Sequence, residues 1–331
     1  MKKPIVALTL MTALSLVFIM ASGRLIGATI LSHPLAIAAS SWGATLLFTI
    51  HPAILVNGRR AMFEGGLLLG LTALAWGILI LVKHQRVKWY GYVLFGILTG
   101  LALSTKHSAA FTAILLYGGL IIAVIWTWFR TPNQLLIRIG NIGLATLIAL
   151  VVFLALNPLW WSQPFKMPTI VIDERQEILD IQVDLFGGYD TVTDRFSGLW
   201  EQSFRVSPQY FEADYWADYE GVEEEIATYE NHHVAGWTDD IIIFAARLLF
   251  TMFGISGIFR VLRRGARQSR QIMLIFTLWC IGILGITFLT VPLDWQRYYL
   301  QIQPPLILLM GLGTGLFVDL WLNNRSVYAP N

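Results

Sequence analysis

Residues Ile272 to Thr290 read IMLIFTLWCIGILGITFLT and contain no charged residue. A helix needs about 20 mainly apolar residues to cross the hydrocarbon core of a bilayer. Since the strands of a membrane barrel alternate apolar and polar positions, this continuous run predicts a membrane-spanning helix. The whole 331-residue chain shares this character, because 56% of its residues are hydrophobic and only 13% are charged. A soluble domain carries about 25% charged residues, so the composition places the chain in a membrane.

Nine apolar runs are candidate spans. They cover residues 5–22, 35–50, 65–82, 90–105, 111–129, 139–157, 240–259, 272–290 and 304–322. The sequence therefore predicts an all-α polytopic membrane protein. The second and fourth runs are short and end beside polar motifs, which indicates that they stop at a cavity and not in bulk lipid.

Acidic residues are almost confined to one part of the chain. Of the 21 Asp and Glu residues, 18 lie between Asp173 and Asp240. We interpret residues 159–239 as an extracytoplasmic cap loop between an N-terminal transmembrane bundle, 1–158, and C-terminal transmembrane helices, 240–331. The three acids outside the range Asp173 to Asp240 are Glu64, Asp294 and Asp319. Acids are expensive inside a membrane, so each of these three needs a reason.

Helical spacing of apolar residues within the loop predicts an amphipathic helix from Ile172 to Leu185, ended by Gly187 and Gly188. The orientation of the chain follows from the Lys and Arg residues of its short loops, which are commoner on the cytoplasmic side. One alternating set of loops holds 12 of them and the opposite set holds 6. This asymmetry predicts an extracytoplasmic 159–239 loop and a cytoplasmic C-terminus.

The same topology puts Lys2 and Lys3 on the disfavoured outer side. We therefore expect that the natural chain begins further upstream and that a span and an outer loop precede residue 1. A signal peptide ending near Gly23 is the alternative interpretation.

Four polar clusters fall on the predicted outer side. They are His51-Pro52 with Asn57 to Glu64; Gly96 and Gly100 with Ser104 to Ser108; Asn157 to Trp161; and Pro292 to Tyr299 with Pro304-Pro305. Lys106 and Arg297 are residue types that bind phosphate. Glu64 follows Arg59 by five positions, which predicts a salt bridge between them. A simpler interpretation also exists for each cluster, in which charges reach towards water and Trp160 and Trp161 lie in an interfacial aromatic belt.

The sequence contains no Walker loop, dinucleotide-binding glycine motif, zinc-ligand spacing or nucleic-acid footprint. It therefore argues against an ATP-driven pump and against a transferase that uses nucleotide sugars. We expect no metal and no cofactor: His232 and His233 are adjacent and do not share a face, and Cys280 has no partner for an internal disulfide. Several cations below large aromatic residues indicate a site for a polyprenyl-phosphate sugar, with the phosphate on the cations and the sugar below the aromatic residues. We expect membrane lipid as a further partner and no nucleic acid.

The first cluster resembles the third and fourth spans of the dolichyl-phosphate-mannose protein mannosyltransferases, which are glycosyltransferase family 39 and have the GT-C fold. Gly96 to Ser108 resembles the family segment whose lysine lies near the lipid phosphate. Asn157 to Trp160 resembles a further landmark, as does Arg297 to Tyr299 with Pro304-Pro305. The resemblance covers most of the membrane part and implies a GT-C-like helical bundle.

The resemblance implies an inverting transfer of sugar from a polyprenyl phosphate to a protein, lipid or glycan acceptor on the extracytoplasmic face. The phosphate-binding residues that it implies are Arg59, Arg60, Lys106, His107, Arg297 and Tyr298. Glu64 would orient Arg59 or contact the sugar, and it is the candidate catalytic residue in this chain. The family's main catalytic acid lies in a first outer loop, and no acid precedes Glu64 here, so that base is expected in a preceding segment. The alternatives are a non-enzymatic GT-C scaffold or fragment and a transporter.

Overall fold

The computed structural model describes residues 2–58, 63–84, 87–129, 132–213, 216–217, 222–233, 235–236 and 241–327. Every regular element within these ranges is a helix. The α-helices are α1 (Lys2–Gly27), α2 (Pro34–Thr49), α3 (Pro52–Asn57), α4 (Glu64–Lys83), α5 (Trp89–Thr105), α6 (Ala109–Trp128), α7 (Pro132–Leu156), α8 (Met167–Phe186), α9 (Val192–Phe204), α10 (Val222–Glu230), α11 (Ile241–Arg264), α12 (Arg267–Thr290) and α13 (Gln303–Val327). Two 3-10 helices, Pro158–Trp160 and Gln296–Ile302, precede the cap and α13.

The predicted all-α polytopic architecture is confirmed. In the described part of the chain, seven helices are long and apolar enough to cross a membrane, namely α1, α4, α6, α7, α11, α12 and α13 together with the preceding 3-10 helix. The two short predicted runs form the shorter apolar helices α2 and α5. Large apolar side chains such as Leu14 and Leu150 are about half exposed, as expected for helices that contact lipid.

Helix α4 lies at the centre of the bundle. It packs against α1, α5 and α6 and also contacts the 3-10 helix Gln296–Ile302. Leu68, Leu71, Leu74 and Ile78 on this helix are fully buried. Pairs α2–α13, α5–α7, α11–α13 and α6–α12 complete the bundle. The first residue of α4 is Glu64, so the central helix carries this carboxylate at one end of the bundle.

The cap is more helical than the single predicted segment. The predicted amphipathic helix is α8, and it ends at Gly187, whose φ of +76° favours glycine. Helix α9 begins with a reciprocal capping box between Thr191 and Asp194. Helix α9 contacts α11, α12 and the 3-10 helix Gln296–Ile302, and α10 contacts α3. The cap therefore packs on the end of the bundle where α4 begins.

Gly96 and Gly100 allow α5 and α7 to approach closely. A Cβ atom on Gly100 would lie 2.6 Å from the Cβ of Val152, and one on Gly96 would lie 2.5 Å from the carbonyl oxygen of Ala145. Small residues at this spacing are typical of helix crossings in membranes. These two glycines, which belong to the second polar cluster in the sequence, serve the packing that holds α5 in place.

We expect the substitution Gly100→Val to destabilise the protein by about 1–3 kcal/mol, because overpacking separates α5 from α7. Gly143→Ala on α7 is the matched control, since a Cβ atom there would have no neighbour within 4 Å. Thermal unfolding in detergent micelles measures both. Equal stability of Gly100→Val and the wild type would contradict this packing.

Candidate active site at one end of the bundle

Glu64 and Lys106 form an ion pair between the start of α4 and the end of α5. The Nζ atom of Lys106 donates to Oε1 of Glu64 at 2.7 Å. The Glu64 side chain is 1% exposed and that of Lys106 is 30% exposed. The second carboxylate oxygen of Glu64, Oε2, is buried without a hydrogen-bond partner among the described residues. The first and second polar clusters thus meet through opposite charges.

Glu64 pairs with Lys106, a partner that the sequence did not predict, and its predicted salt bridge with Arg59 stays a prediction. The cause is the tertiary approach of α4 to α5, which brings together two residues 42 positions apart. Arg59 and Arg60 lie outside the described residues, so their predicted phosphate contacts remain predictions.

Ser104 and His107 connect the second cluster to the third. The side-chain amide of Asn157 donates to the hydroxyl of Ser104 at 3.1 Å. The His107 ring lies 5.8 Å from the Trp160 ring and 6.1 Å from the Phe153 ring, measured between centroids. Burial lowers the pKa of His107, so a neutral imidazole offers a hydrogen bond and no full positive charge at neutral pH. Trp160 packs inward on His107, whereas Trp161 is 64% exposed.

The fourth cluster joins the first through buried amides. Asn57 donates to the side chain of Gln296 at 3.2 Å, and both residues are buried. Gln296 also donates to the carbonyl oxygen of Ser207 at 2.7 Å, and its backbone N–H donates to Gln209 at 2.6 Å. All four predicted clusters and the cap therefore meet at one end of the bundle.

Arg297 lies among aromatic and acidic neighbours. Its guanidinium carbon is 4.9 Å from the centroid of the Trp295 ring and 5.2 Å from that of the Tyr298 ring, which is cation–π geometry. Its Nε atom is 3.7 Å from a carboxylate oxygen of Glu212 in the cap. Tyr298 in turn donates to Gln182 of α8 at 2.8 Å. The cap thus fixes both predicted residues of this cluster.

Asp294, an acid of the fourth cluster, accepts hydrogen bonds from the cap. Its Oδ1 atom accepts from the Tyr189 hydroxyl at 3.2 Å and from Gln202 at 2.9 Å. The Tyr189 hydroxyl also shares a hydrogen bond of 2.8 Å with Tyr299. Burial raises the pKa of Tyr189, so its hydroxyl stays protonated and donates. Asp294 itself remains exposed at the surface of the site.

Sequence analysis missed Arg247, which lies inside α11 and is 2% exposed. Its Nη2 atom donates to the carbonyl oxygen of Ser203 at 3.4 Å. An isolated arginine within the predicted span 240–259 is the signal that could have found it, because charged residues inside spans are rare and tend to be functional. The described residues contain no group of His, Cys, Asp and Glu side chains that could hold a metal ion.

Comparison with known proteins supports the family resemblance. The model of the Dolichyl-phosphate-mannose-protein mannosyltransferase family matches residues 5–169. No curated protein and no solved structure matches the chain significantly. The matched segment contains Glu64, Lys106, His107 and Asn157, while Arg297 and Arg247 lie outside it.

We expect Glu64→Gln and Lys106→Met each to destabilise the protein, because each change leaves the other charge without its partner, and the loss is larger for the buried Glu64 than for the partly exposed Lys106. The double variant should recover part of the loss, with a coupling free energy of about 1–3 kcal/mol. Unfolding of the wild type, both single variants and the double variant measures this coupling. Additive effects would show that the ion pair does not stabilise this end of the bundle.

Proposed function

We propose that the chain transfers mannose from a polyprenyl phosphate to a hydroxyl of a protein acceptor, because residues 5–169 match the model of the Dolichyl-phosphate-mannose-protein mannosyltransferase family. The match supports the coarser function, a membrane mannosyltransferase that uses a polyprenyl-phosphate sugar. One observation carries the site assignment. Lys106 and Glu64 from the matched segment lie at the same end of the bundle as Arg297 from the segment outside it.

In the proposed reaction, the acceptor oxygen forms a bond to the anomeric carbon of the donor sugar with inversion. The bond between that carbon and the phosphate oxygen breaks, and its electron pair leaves with the phosphate. Cationic side chains near the phosphate stabilise the negative charge that develops on it. Lys106 and Arg297 are proposed for this role, with Arg59, Arg60, His107 and Tyr298 as further contacts.

Glu64 is proposed as the residue that positions Lys106, since its Oε1 atom accepts from the Lys106 ammonium. The hydroxyl proton of the acceptor passes to a carboxylate base, which typically contributes about 10²–10⁴-fold to the rate. Asp294 is a carboxylate of this site that is exposed and therefore open to an acceptor, and Glu64 is a buried one. Comparing Glu64→Gln with Asp294→Asn separates these two groups.

The arrangement favours an enzyme over a transporter. A transporter places polar residues and broken helices near the middle of the membrane. Here the four polar clusters are joined to one another at the end of the bundle where α4 begins, and the cap packs on this end. A scaffold without activity would also keep this fold, and an activity assay distinguishes the two.

We expect transfer of mannose from a polyprenyl-phosphate mannose to a peptide that contains Ser and Thr when the carboxylate base is present, whether that base is Asp294, Glu64 or the acid expected before residue 1. Lys106→Met and Arg297→Met should each lower kcat/KM by about 10²–10³-fold, the usual effect of removing one group that stabilises developing negative charge. Arg263→Gln, an exposed residue near the far end of α11, is the control and should leave the rate unchanged. A wild-type chain that folds and binds the donor without transferring sugar would instead indicate an inactive scaffold.

The proposed topology has the cap outside the cell membrane and the α11–α12 connection in the cytoplasm. Cys280 is the single cysteine of the sequence, so a Cys280→Ala background carries no thiol. We expect a membrane-impermeant maleimide added from outside to label a cysteine at Phe165, which is 96% exposed, and to spare one at Arg264. The reverse labelling pattern would show that the orientation is inverted.

A further inference from the structure

Arg247 is a buried cation with most of its hydrogen-bonding capacity unused. Its Nε and Nη1 atoms have no partner among the described residues, and its bond to Ser203 is long at 3.4 Å. A charge removed from water is costly unless it is paired and hydrogen-bonded. The cost is greater for an arginine on a helix that crosses a membrane. Such a residue indicates a partner of opposite charge that binds there.

Further polar groups lie beside Arg247. His51, at the junction of α2 and α3, is buried next to the Gln303 side chain, and neither of its ring nitrogens makes a hydrogen bond of good geometry in the described part of the chain. The amide of Gln303 lies beside His51, and its Oε1 atom is also buried without a partner. Most buried polar groups are hydrogen-bonded, so several unsatisfied groups at one place indicate a ligand site.

Arg247 differs from the two cations predicted from the sequence, because each of those has a carboxylate neighbour. Lys106 is neutralised by Glu64 at 2.7 Å, and Arg297 has Glu212 at 3.7 Å. No carboxylate in the described residues pairs with Arg247. Burial and the positive charge of Arg247 lower the pKa of His51, which leaves a neutral imidazole with one N–H to donate. The place therefore presents guanidinium and imidazole N–H groups to an anion.

Hydrogen bonds connect the surroundings of Arg247 and His51 to the candidate active site. Gln303 donates to the carbonyl oxygen of Gln202 at 2.8 Å, and the Gln202 side chain donates to Asp294 at 2.9 Å. Ser203, which accepts from Arg247, is the next residue of α9. An exposed carboxylate and a buried arginine thus flank the last turn of the same cap helix.

We propose that Arg247 and His51 bind the phosphate of the polyprenyl-phosphate donor. This proposal rests on the proposed function and makes Arg247 the principal phosphate ligand. The unused N–H groups of Nε and Nη1 lie on different edges of the guanidinium, and each can donate a charge-assisted hydrogen bond to a phosphate oxygen. The imidazole N–H adds a third donor, and the acceptor hydroxyl would approach from the side of Asp294.

Binding to the full chain in phosphatidylcholine nanodiscs tests this proposal. The probes are polyprenyl phosphate, the same polyprenol without phosphate, inorganic phosphate and phosphatidylglycerol. For each probe, the thermal midpoint of unfolding of the protein is measured as a function of probe concentration. We expect polyprenyl phosphate to raise the midpoint most. Arg247→Gln should raise the Kd for it by about 10- to 100-fold, as expected for the loss of charge-assisted hydrogen bonds. His51→Ala should have a smaller effect in the same direction.

The unliganded protein supplies a second readout. Removal of an unpaired buried charge should leave the midpoint of the empty protein unchanged or raise it. Arg260→Gln, an exposed residue on the same helix, is the matched control for both measurements. Loss of folding in Arg247→Gln, with Arg247→Lys also unstable, would mark Arg247 as a structural residue and overturn the proposal.

The remaining outcomes separate this proposal from the proposed function. Unchanged affinity or unchanged sugar transfer in Arg247→Gln would overturn the phosphate site and leave the function standing. Equal stabilisation by polyprenol or by phosphatidylglycerol would also overturn it, because the donor phosphate would then not be the ligand. Loss of polyprenyl-phosphate binding in Arg247→Gln, with no transfer by the wild type, would support the site and contradict the function.

Discussion

The ion pair between Glu64 and Lys106 is the interaction on which this end of the bundle depends. A carboxylate that is 1% exposed at the start of a central membrane helix is stable only with a cation beside it. Helix α4 can reach α5 because its glycines leave no side chain in the way. A Cβ atom on Gly70 would lie 2.8 Å from that of Ala102, and one on Gly66 would lie 3.4 Å from Thr105. The glycines of α4 and its terminal Glu64 therefore both contribute to the contact between α4 and α5.

The distribution of charge explains how a site for a lipid phosphate can exist within a stable bundle. Cations that all have carboxylate partners would attract an anion weakly. Cations that all lack such partners would destabilise the protein when no ligand is bound. Here Lys106 and Arg297 have carboxylate neighbours, whereas the hydrogen-bond partner of Arg247 among the described residues is the carbonyl oxygen of Ser203. The unpaired charge of Arg247 is costly to folding, and a bound phosphate would offset that cost. The adjacent carboxylates of Glu64 and Asp294 remain near the positions where an acceptor and a sugar would lie.

The fold followed from the sequence because membrane spans are a local property. Each of the nine apolar runs, including the two short ones before His51 and Lys106, corresponds to a helix in the described residues. The amphipathic helix of the cap was predictable in the same way, since its spacing and the terminal Gly187 are local signals. Helices α9 and α10 were not predicted, because their apolar residues are few and their acids suggested a solvated loop.

The site was only partly predictable, because the partners of charged residues are set by tertiary packing. The four clusters could be grouped on one side from topology alone, and the contacts of Asn57, Ser104 and Gln296 join them. The pairing of Glu64 with Lys106 depends on a contact between residues far apart in sequence. Arg247 was overlooked because it lies inside an apolar run, where only the structure shows that its donors are buried and unused.

A cryo-electron microscopy structure of the chain in nanodiscs with bound polyprenyl phosphate tests the central claim most directly. The account predicts phosphate density within about 3 Å of the Arg247 guanidinium nitrogens, where charged hydrogen bonds form. It also predicts that this density lies at the end of the bundle that carries the intact Glu64–Lys106 pair. Phosphate density at the opposite end, beside Arg263 and Arg264, would contradict it, as would bound lipid whose phosphate avoids Arg247.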